Sequence, residues 1–401
     1  MIKVLYAWLE GRHAGVFTRG TSALIRFDYS EHAPATPISL SLPRDGGASR
    51  RAAANFLDNL LPDNAAARDQ MASVYGAEST DTFDLLARAG GDVAGGLVLT
   101  AREEPPTAGP LLLDPAGDED IAARIAAVKR MPDQWVDAAT PARFSLAGTQ
   151  GKFAIAEIGG EWYWSNATVP STHIVKPARQ DVPGLEDVEA MAMTLASMVG
   201  VAAPSARVLR VQDQTAYLVE RFDRVRTGQV AVRLHAEDIA QAIGKRPDEK
   251  YDVSAQQVIR LLREQISDEI TYAFVRQLAI NVFLGNADAH AKNYSLLLRP
   301  DDIALSPIYD VVPVGLYPEF DQKLAMRVGG ARRAAEVTPA HWRKLARTSG
   351  LSEARVDEMV TTLAHSLREA VETFATSSTV PEVARSRALV VRNTEPFTVP
   401  E

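Results

Sequence analysis

The stretch Gly285–Asn293, GNADAHAKN, packs one carboxylate, one imidazole, one ammonium and two amides into nine residues held by small side chains. It follows a long apolar helical run, FVRQLAINVFLG, and precedes a strand-like YSLLL. Asp288 and Asn293 stand five positions apart. A carboxylate at such a place can orient a hydroxyl and accept its proton. A neutral oxygen donor a few residues on can hold a hard cation. Taken alone, the same loop also fits a polar turn in which both side chains cap backbone groups.

Further polar residues lie on either side. Asp310, in SPIYDVV, is expected at the end of a short strand, where it can act as a second cation ligand or form an Asx turn. Lys176 closes the apolar strand THIVKP. A buried ammonium must reach a partner, with Glu189 and then Glu186 on the next helix the best candidates, or else snorkel to solvent. FSLAGTQGK (144–152) reads as strand, turn, strand, with Gly148 and Gly151 allowing close backbone approach to phosphates and Lys152 adding charge. An ordinary hairpin fits it as well. LVERFDR ends a hairpin strand that can offer backbone groups to an adenine edge, and Glu220, Arg221, Asp223 and Arg224 also suit an interlobe ion-pair set.

The order of these features carries more than any one of them. A glycine turn, a strand lysine, a helix glutamate, a hinge-like strand, an Asp–Asn loop and a metal-type Asp follow the order of protein kinases. Asp288 and Asn293 keep the spacing of the kinase catalytic base and metal-binding Asn, although the loop reads D-A-H-A-K-N rather than H-R-D.

The rest of the chain is consistent with two lobes. VLYAWLEG and HAGVFTR predict strands around a turn at Gly11, ALIRFDYS a half-buried strand, and PISLSLP another strand ended by Pro43. Residues 52–75 predict two helices broken at Pro62, the second capped by Asp63 or Asn64. FDLLARAGGDVAGGLVLT predicts helix, glycine turn and strand; DEDIAARIAAVKRM and LEDVEAMAMTLASMVG predict helices, the latter stopped by Gly200. Beyond residue 236 the pattern is mostly helical. A β-rich half therefore precedes an α-rich half.

With 401 residues, two domains are the natural expectation, and 46% hydrophobic residues supply large cores. A net charge of −8 argues against a broadly basic nucleic-acid-binding surface; the local cluster of Arg and Lys between Arg327 and Arg347 reads either as a solvated helical face or as a weak DNA contact. The absence of cysteine removes disulfides, thiolate nucleophiles and Cys-ligated metals, and fits a reducing cytoplasm. No signal peptide and no eighteen-residue apolar run is present, so no membrane association is expected.

WLEGRHAGVFTR, ISLSLP, FLDNLLPD and FDLLARAGGDVAGGL, with RFSLAGTQGK, STHIVKP, LVERFDR, RLHAEDIAQAIG, GNADAHAKNYSLL and SPIYDVVP, resemble the HipA family over nearly the whole chain. These are serine/threonine kinase toxins of type II toxin–antitoxin systems. The resemblance implies an α+β, two-lobed protein-kinase-like fold: an N-terminal subdomain at 1–105, a linker and connecting helix at 106–140, a kinase N-lobe core at 141–230 and a helical C-lobe at 231–401. It implies ATP and Mg²⁺ as cofactors and Asp288 as catalytic base, with Asn293 and Asp310 holding Mg²⁺. It further assigns Ala147, Gly148, Thr149, Gln150, Gly151, Lys152 and Lys176 to the phosphates, Glu220, Arg221 and Phe222 to the adenine hinge, and His290, Lys292 and Tyr309 to the nucleotide site. Ser145 matches the serine that family members autophosphorylate to switch themselves off.

The expected partners are a small helix-turn-helix, HipB-like antitoxin, operator DNA mainly through that antitoxin, and a protein substrate such as glutamyl-tRNA synthetase. One departure is DVSAQQ after Lys250 and Tyr251, where the family often has Gly-Gly-Pro. Two other readings stay open: a catalytically silent co-repressor subunit, which the retained Lys176, Asp288, Asn293 and Asp310 argue against, and small-molecule phosphotransfer on the same fold.

Overall fold

The computed structural model describes residues 2–20, 24–104, 110–136, 144–179, 181–375 and 379–398. The boundaries expected at 105 and 140, and Arg143 at the head of RFSLAG, lie outside the described residues. The chain forms two compact units, each discontinuous in sequence: Met1–Pro177 with Leu209–Glu249 and Ser295–Ala304, and Ala178–Val208 with Lys250–Tyr294 and Leu305–Glu401.

The first unit is rich in strands. β1 (Val4–Leu9) and β2 (Arg12–Arg19) form a hairpin turned at Glu10 and Gly11, both with positive φ. With β3 (Ile25–Tyr29) and β4 (Val98–Thr100) they make an antiparallel sheet in the order β3-β2-β1-β4. Leu5, Ala7, Leu9 and Phe17 share a core with Phe56 and Leu57 of α1 (Ala52–Asp58) and with Phe83 and Leu86 of α3 (Thr82–Ala89). α2 (Ala65–Tyr75) starts after Pro62, its first turn capped by Asn64, whose Oδ1 accepts the Ala66 N–H at 2.8 Å.

PISLSLP is not a strand. Its N–H and C=O groups are taken by turns and side chains instead: Leu42 N–H donates to Ser39 C=O, Leu40 N–H to the Glu237 carboxylate, and Tyr29 Oη to Leu42 C=O.

α4 (Asp118–Arg130) leads to a five-stranded sheet in the order β6-β5-β7-β9-β8, made of β5 (Phe153–Ile158), β6 (Glu161–Trp164), β7 (His173–Pro177), β8 (Ala206–Val211) and β9 (Gln214–Glu220). β10 (Arg224–Arg226) pairs with β11 (Ala231–Arg233). β12 (His235–Asp238) pairs with β13 (Ser295–Leu298), which is flanked by β14 (Ile303–Leu305). Asp238 and Gln241 form a capping box that starts α6 (Ile239–Ile243).

The strand expected over FSLAG is absent. Ser145 N–H donates to Asp92 C=O, Ser145 Oγ to Leu60 C=O at 2.8 Å, and Asp63 N–H to Gly148 C=O, so this segment is held by loops of the first hundred residues rather than by a ladder. Gly151 fits there because a Cβ would lie 2.5 Å from Pro132 O and 2.8 Å from Val128.

The second unit is helical. α5 (Leu185–Met198) ends at Gly200, φ +71. α7 (Ala255–Gln265) and α8 (Asp268–Phe283) pack together, and α10 (Glu353–Ala375) packs on α5, α8, α9 (Pro339–Thr348) and α11 (Pro381–Thr394). α8 buries residues nearly all round, Phe274, Leu278 and Val282 among them, as a central helix must.

Candidate active site

The loop 285–293 is built outward from α8. Gln277 and Asn281 recur one turn apart within the buried run of this helix, and both are buried. Gln277 Nε2 donates to Ser306 C=O at 2.7 Å. Asn281 Oδ1 accepts from Asn286 Nδ2 at 2.7 Å, and the same Asn286 nitrogen donates to Asp310 C=O at 3.2 Å. Asn286 Oδ1 accepts the Asp288 N–H. This chain of amides ties helix, loop and the 306–310 segment together. Gly285 makes the helix exit possible: its φ is +73, and a Cβ would meet Leu389 at 2.9 Å.

Asp288 is the one exposed residue between Asn281 and Leu298. Its carboxylate accepts the Tyr251 hydroxyl at 2.8 Å. The Tyr251 ring meets His290 edge to face at 5.1 Å, with the Lys250 ammonium 5.3 Å from its centroid. Although the side chain reaches solvent, the surrounding protein thins its hydration and raises the Asp288 carboxyl above the usual range. The Tyr251 hydrogen bond and Lys250 pull it down, and Asp310 pushes it up.

Asp310 does not end a strand, as its flanking residues had led us to expect. It sits in an irregular segment with φ +56, a left-handed conformation that Asp tolerates better than most residues and that is concentrated at functional sites. Its Oδ2 accepts from Asn293 Nδ2 at 3.0 Å, and Tyr309 Oη donates to Lys292 C=O at 2.7 Å. Asp288, His290, Lys292, Asn293, Tyr309 and Asp310 thus form one hydrogen-bonded neighbourhood within the second unit. Among the described residues no group of three or more His, Cys, Asp or Glu is arranged to hold a metal. Mg²⁺ beside a nucleotide takes one or two protein oxygens and fills its shell with water and phosphate, so the Asp310 carboxylate and the Asn293 amide oxygen fit it.

The other expected residues lie in the first unit. Lys152 Nζ donates to Ala147 C=O at 2.7 Å and lies 5.3 Å from the Trp135 ring, beside Gly148 with φ +107. Thr149 is exposed and Gln150 half-buried. Lys176 is 6% exposed, with Nζ 5.5 Å from the Tyr217 ring. Glu220 is paired with Arg226 at 3.2 Å, and Phe222 is half-buried.

Arg221 is placed differently from a nucleotide ligand's side chain. Its guanidinium is bound to Asp223, Ser171 Oγ and Val93 C=O, and its N–H to Thr172 C=O. The Arg221–Asp223–Arg224 set is not interlobe either. It closes within the first unit on Asp92, a fully buried carboxylate that pairs with Arg224 at 2.8 Å and lies 3.7 Å from Arg233. Burial by itself raises the Asp92 carboxyl, but Arg224, Arg221 and Arg233 with Ser171 hold it below its ordinary value.

Sequence reasoning missed Tyr251, Asn281, Asn286 and Asp92 as parts of this framework. The signal for Asn281 was present: with Gln277 it forms a polar pair at helical spacing in a mostly apolar run, and such residues must face a polar partner.

Residues 144–371 match the HipA-like C-terminal domain and residues 5–100 the HipA N-terminal domain. The chain belongs to the HipA family. It is 33% identical over 384 residues to the Sinorhizobium fredii protein Y4mE, covering 92% of this chain and 91% of that one. It is 30% identical to the serine/threonine-protein kinase toxin HipA of Shewanella oneidensis, over 73% and 70% of the two chains. A solved structure of Shewanella oneidensis HipA with HipB and operator DNA superposes with a TM-score of 0.85 at 24% identity, covering 99% of this chain and 100% of that one. The two-lobed, kinase-like α+β fold of the HipA family is therefore the fold of this chain, and serine/threonine-protein kinase activity comes with the membership.

Proposed function

We propose that this chain is a kinase toxin that transfers the γ-phosphoryl of ATP to a serine or threonine of a translation protein, an aminoacyl-tRNA synthetase such as the glutamyl enzyme being the favoured class. The observation that carries the reading is the Asp288–Asn293–Asp310 neighbourhood, with an exposed carboxylate of raised pKa beside a pair of oxygen donors. Asp288 orients the acceptor hydroxyl and takes its proton as the bond to phosphorus forms. Asn293 and Asp310 hold Mg²⁺, which when bound neutralises charge on the phosphates. Lys176 and the 147–152 segment serve the phosphates, Glu220, Arg221 and Phe222 the adenine, and His290, Lys292 and Tyr309 line the nucleotide. For Arg221 only backbone contact is compatible with its committed side chain.

Ser145 is proposed as the autophosphorylation site. Its side chain is buried, with 1% of the residue exposed, and hydrogen-bonded to Leu60 C=O, so segment 144–152 must leave its seat before Oγ can accept a phosphoryl group. A phosphate of charge near −2 cannot re-enter that pocket, which gives the modification an off-switch character. A small HipB-like helix-turn-helix antitoxin is the proposed partner, with operator DNA reached mainly through it; the Shewanella relative is solved with HipB and operator DNA.

The test is incubation of the purified chain with labelled ATP and Mg²⁺, wild type beside Asp288→Asn. Label on Ser145 in the first and none in the second is expected. Absence of both nucleotide binding and label in the wild type would overturn the reading in favour of a silent co-repressor.

A further inference from the structure

Two parts of the first unit, far apart in sequence, are locked together by buried amides of α1. Asn55 Nδ2 donates to Gly244 C=O at 2.7 Å across 189 positions, and Asn59 Nδ2 donates to Lys245 C=O at 2.8 Å. Gln241 of α6 returns the link, its Nε2 donating to Phe56 C=O at 3.1 Å. Gly244, with φ +75, lets the chain leave α6 and turn back, so that Lys245 N–H donates to Ala240 C=O at 2.8 Å. Residues 49–55 and 243–249 line a groove of about 600 Å³.

The charges of the groove are one-sided. Arg50, Arg51, Lys245 and Arg246 line it, with Glu249 the one acid among the lining residues, in a chain whose net charge is −8. Glu249 is already engaged: it lies 3.3 Å from Lys245 Nζ and accepts the Arg246 N–H at 2.9 Å. Arg246 also pairs with Asp248 at 2.8 Å. Arg50 and Arg51 are exposed, and among the described residues their guanidinium groups have no ion pair or hydrogen bond. Their backbone is nonetheless fixed. Ser49 C=O accepts the Ala52 N–H at 3.0 Å, and Arg51 C=O accepts the Asn55 N–H at 2.9 Å. Cations gathered by rigid backbone repel one another, and an anion entering between them relieves that repulsion.

We propose that this groove is a binding site for a small anion carrying two or more phosphate groups. The site belongs to the first unit and does not depend on the reading of Asp288. A guanidinium presents paired N–H donors that match phosphate oxygens, and two uncommitted ones at adjacent positions can each take a phosphate. Lys245 and Arg246 add charge from the other part of the chain, and the Ser49 hydroxyl in the lining adds a neutral donor. A nucleic acid strand takes cations repeated along its track. Here four cations gather around one groove with an acid among them, which favours a small ligand.

The experiment is calorimetric titration of the full chain with sodium pyrophosphate, orthophosphate, citrate and a short single-stranded RNA. EDTA is present throughout, which keeps Mg²⁺ from supporting phosphate binding elsewhere. The proteins are the wild type, Arg50→Gln with Arg51→Gln, and Lys245→Gln. Pyrophosphate is expected to bind the wild type more tightly than orthophosphate or citrate does, and to weaken with salt. The double variant is expected to lose about tenfold or more in pyrophosphate affinity, the worth of a charge-assisted hydrogen bond, with Lys245→Gln between it and the wild type. Because Arg50 and Arg51 are exposed, the double variant should keep its thermal midpoint within a few degrees. No binding of pyrophosphate to the wild type, or equal binding by the wild type and both variants, would overturn the site. Citrate binding as tightly as pyrophosphate would reduce the groove to unselective charge attraction and also overturn it. RNA binding more tightly than pyrophosphate, and lost in the double variant, would reassign the groove to nucleic acid and equally overturn the proposal.

Discussion

The Tyr251 hydroxyl donates to the Asp288 carboxylate at 2.8 Å, and its ring packs edge to face on His290. This hydrogen bond opposes the effects of burial and of Asp310 on the Asp288 pKa. Removing it in Tyr251→Phe leaves the ring contact and takes away only the donor. The Asp288 carboxyl should then titrate at higher pH, moving the acid limb of the kcat/KM profile upward. On the acid limb of that profile, phosphoryl transfer should fall on the order of tenfold, the worth of one hydrogen bond to a charged group. A pH–rate profile identical to the wild type's would remove Tyr251 from the site.

Asp310 holds a left-handed backbone while its carboxylate meets Asn293. Asn accepts that backbone at little cost, whereas Ala would add strain. Asp310→Asn should therefore keep the thermal midpoint within a few degrees and lose the dependence of nucleotide binding on Mg²⁺. Calorimetric titration of ATP with and without Mg²⁺ tests this. A variant that still gains affinity for ATP on adding Mg²⁺ would show that the ion is held elsewhere.

Asp92 connects the glycine-rich loop after α3 to three arginines that follow β9. Its carboxylate is wholly buried against Arg224, Arg221 and Arg233. Asp92→Asn leaves these guanidinium groups with Asp223 as their remaining buried acid among the described residues. Breaking a buried network from one side typically costs about 3–5 kcal/mol. Urea unfolding should show a loss of that order, and a loss below ~1 kcal/mol would mean the arginines find other partners.

The chemistry of the loop was legible because it is local. Asp288, Asn293 and the turn-forming residues between them lie within one stretch, and the helix before and strand after it follow from simple periodicity. The two misassigned strands share a different cause. ISLSLP and FSLAG both alternate as strands should, yet their backbone groups bond to residues far away, Glu237 in one case and Asp63 and Asp92 in the other. Alternation reports burial on one side, and a buried loop satisfies it as well as a ladder does. Tyr251 escaped notice because it lies 37 residues from Asp288, with no spacing rule to link them. The Asp92 pairs span some 130 residues, so the charges appeared in sequence only as Arg221, Asp223 and Arg224.

Glu237 is a buried carboxyl with no cation among its hydrogen-bond partners in the described residues. Ser39 Oγ donates to it at 2.5 Å and Leu40 N–H at 2.9 Å, while burial, reinforced by Asp238, pushes it up to about 8 from an ordinary 4.5. Between roughly pH 4.5 and 8 the folded chain therefore keeps a proton that the unfolded chain releases. The contribution to stability is complete below the unfolded value and is lost as pH rises through the folded one. Glu237→Gln presents the same shape as the protonated acid without a titrating proton. The two proteins should unfold at similar urea concentrations near pH 4.5, and the wild type should fall progressively below the variant as pH approaches 8.5. Parallel curves over that range would mean Glu237 is ionised in the folded chain, with Ser39 and Leu40 sufficient to carry its charge.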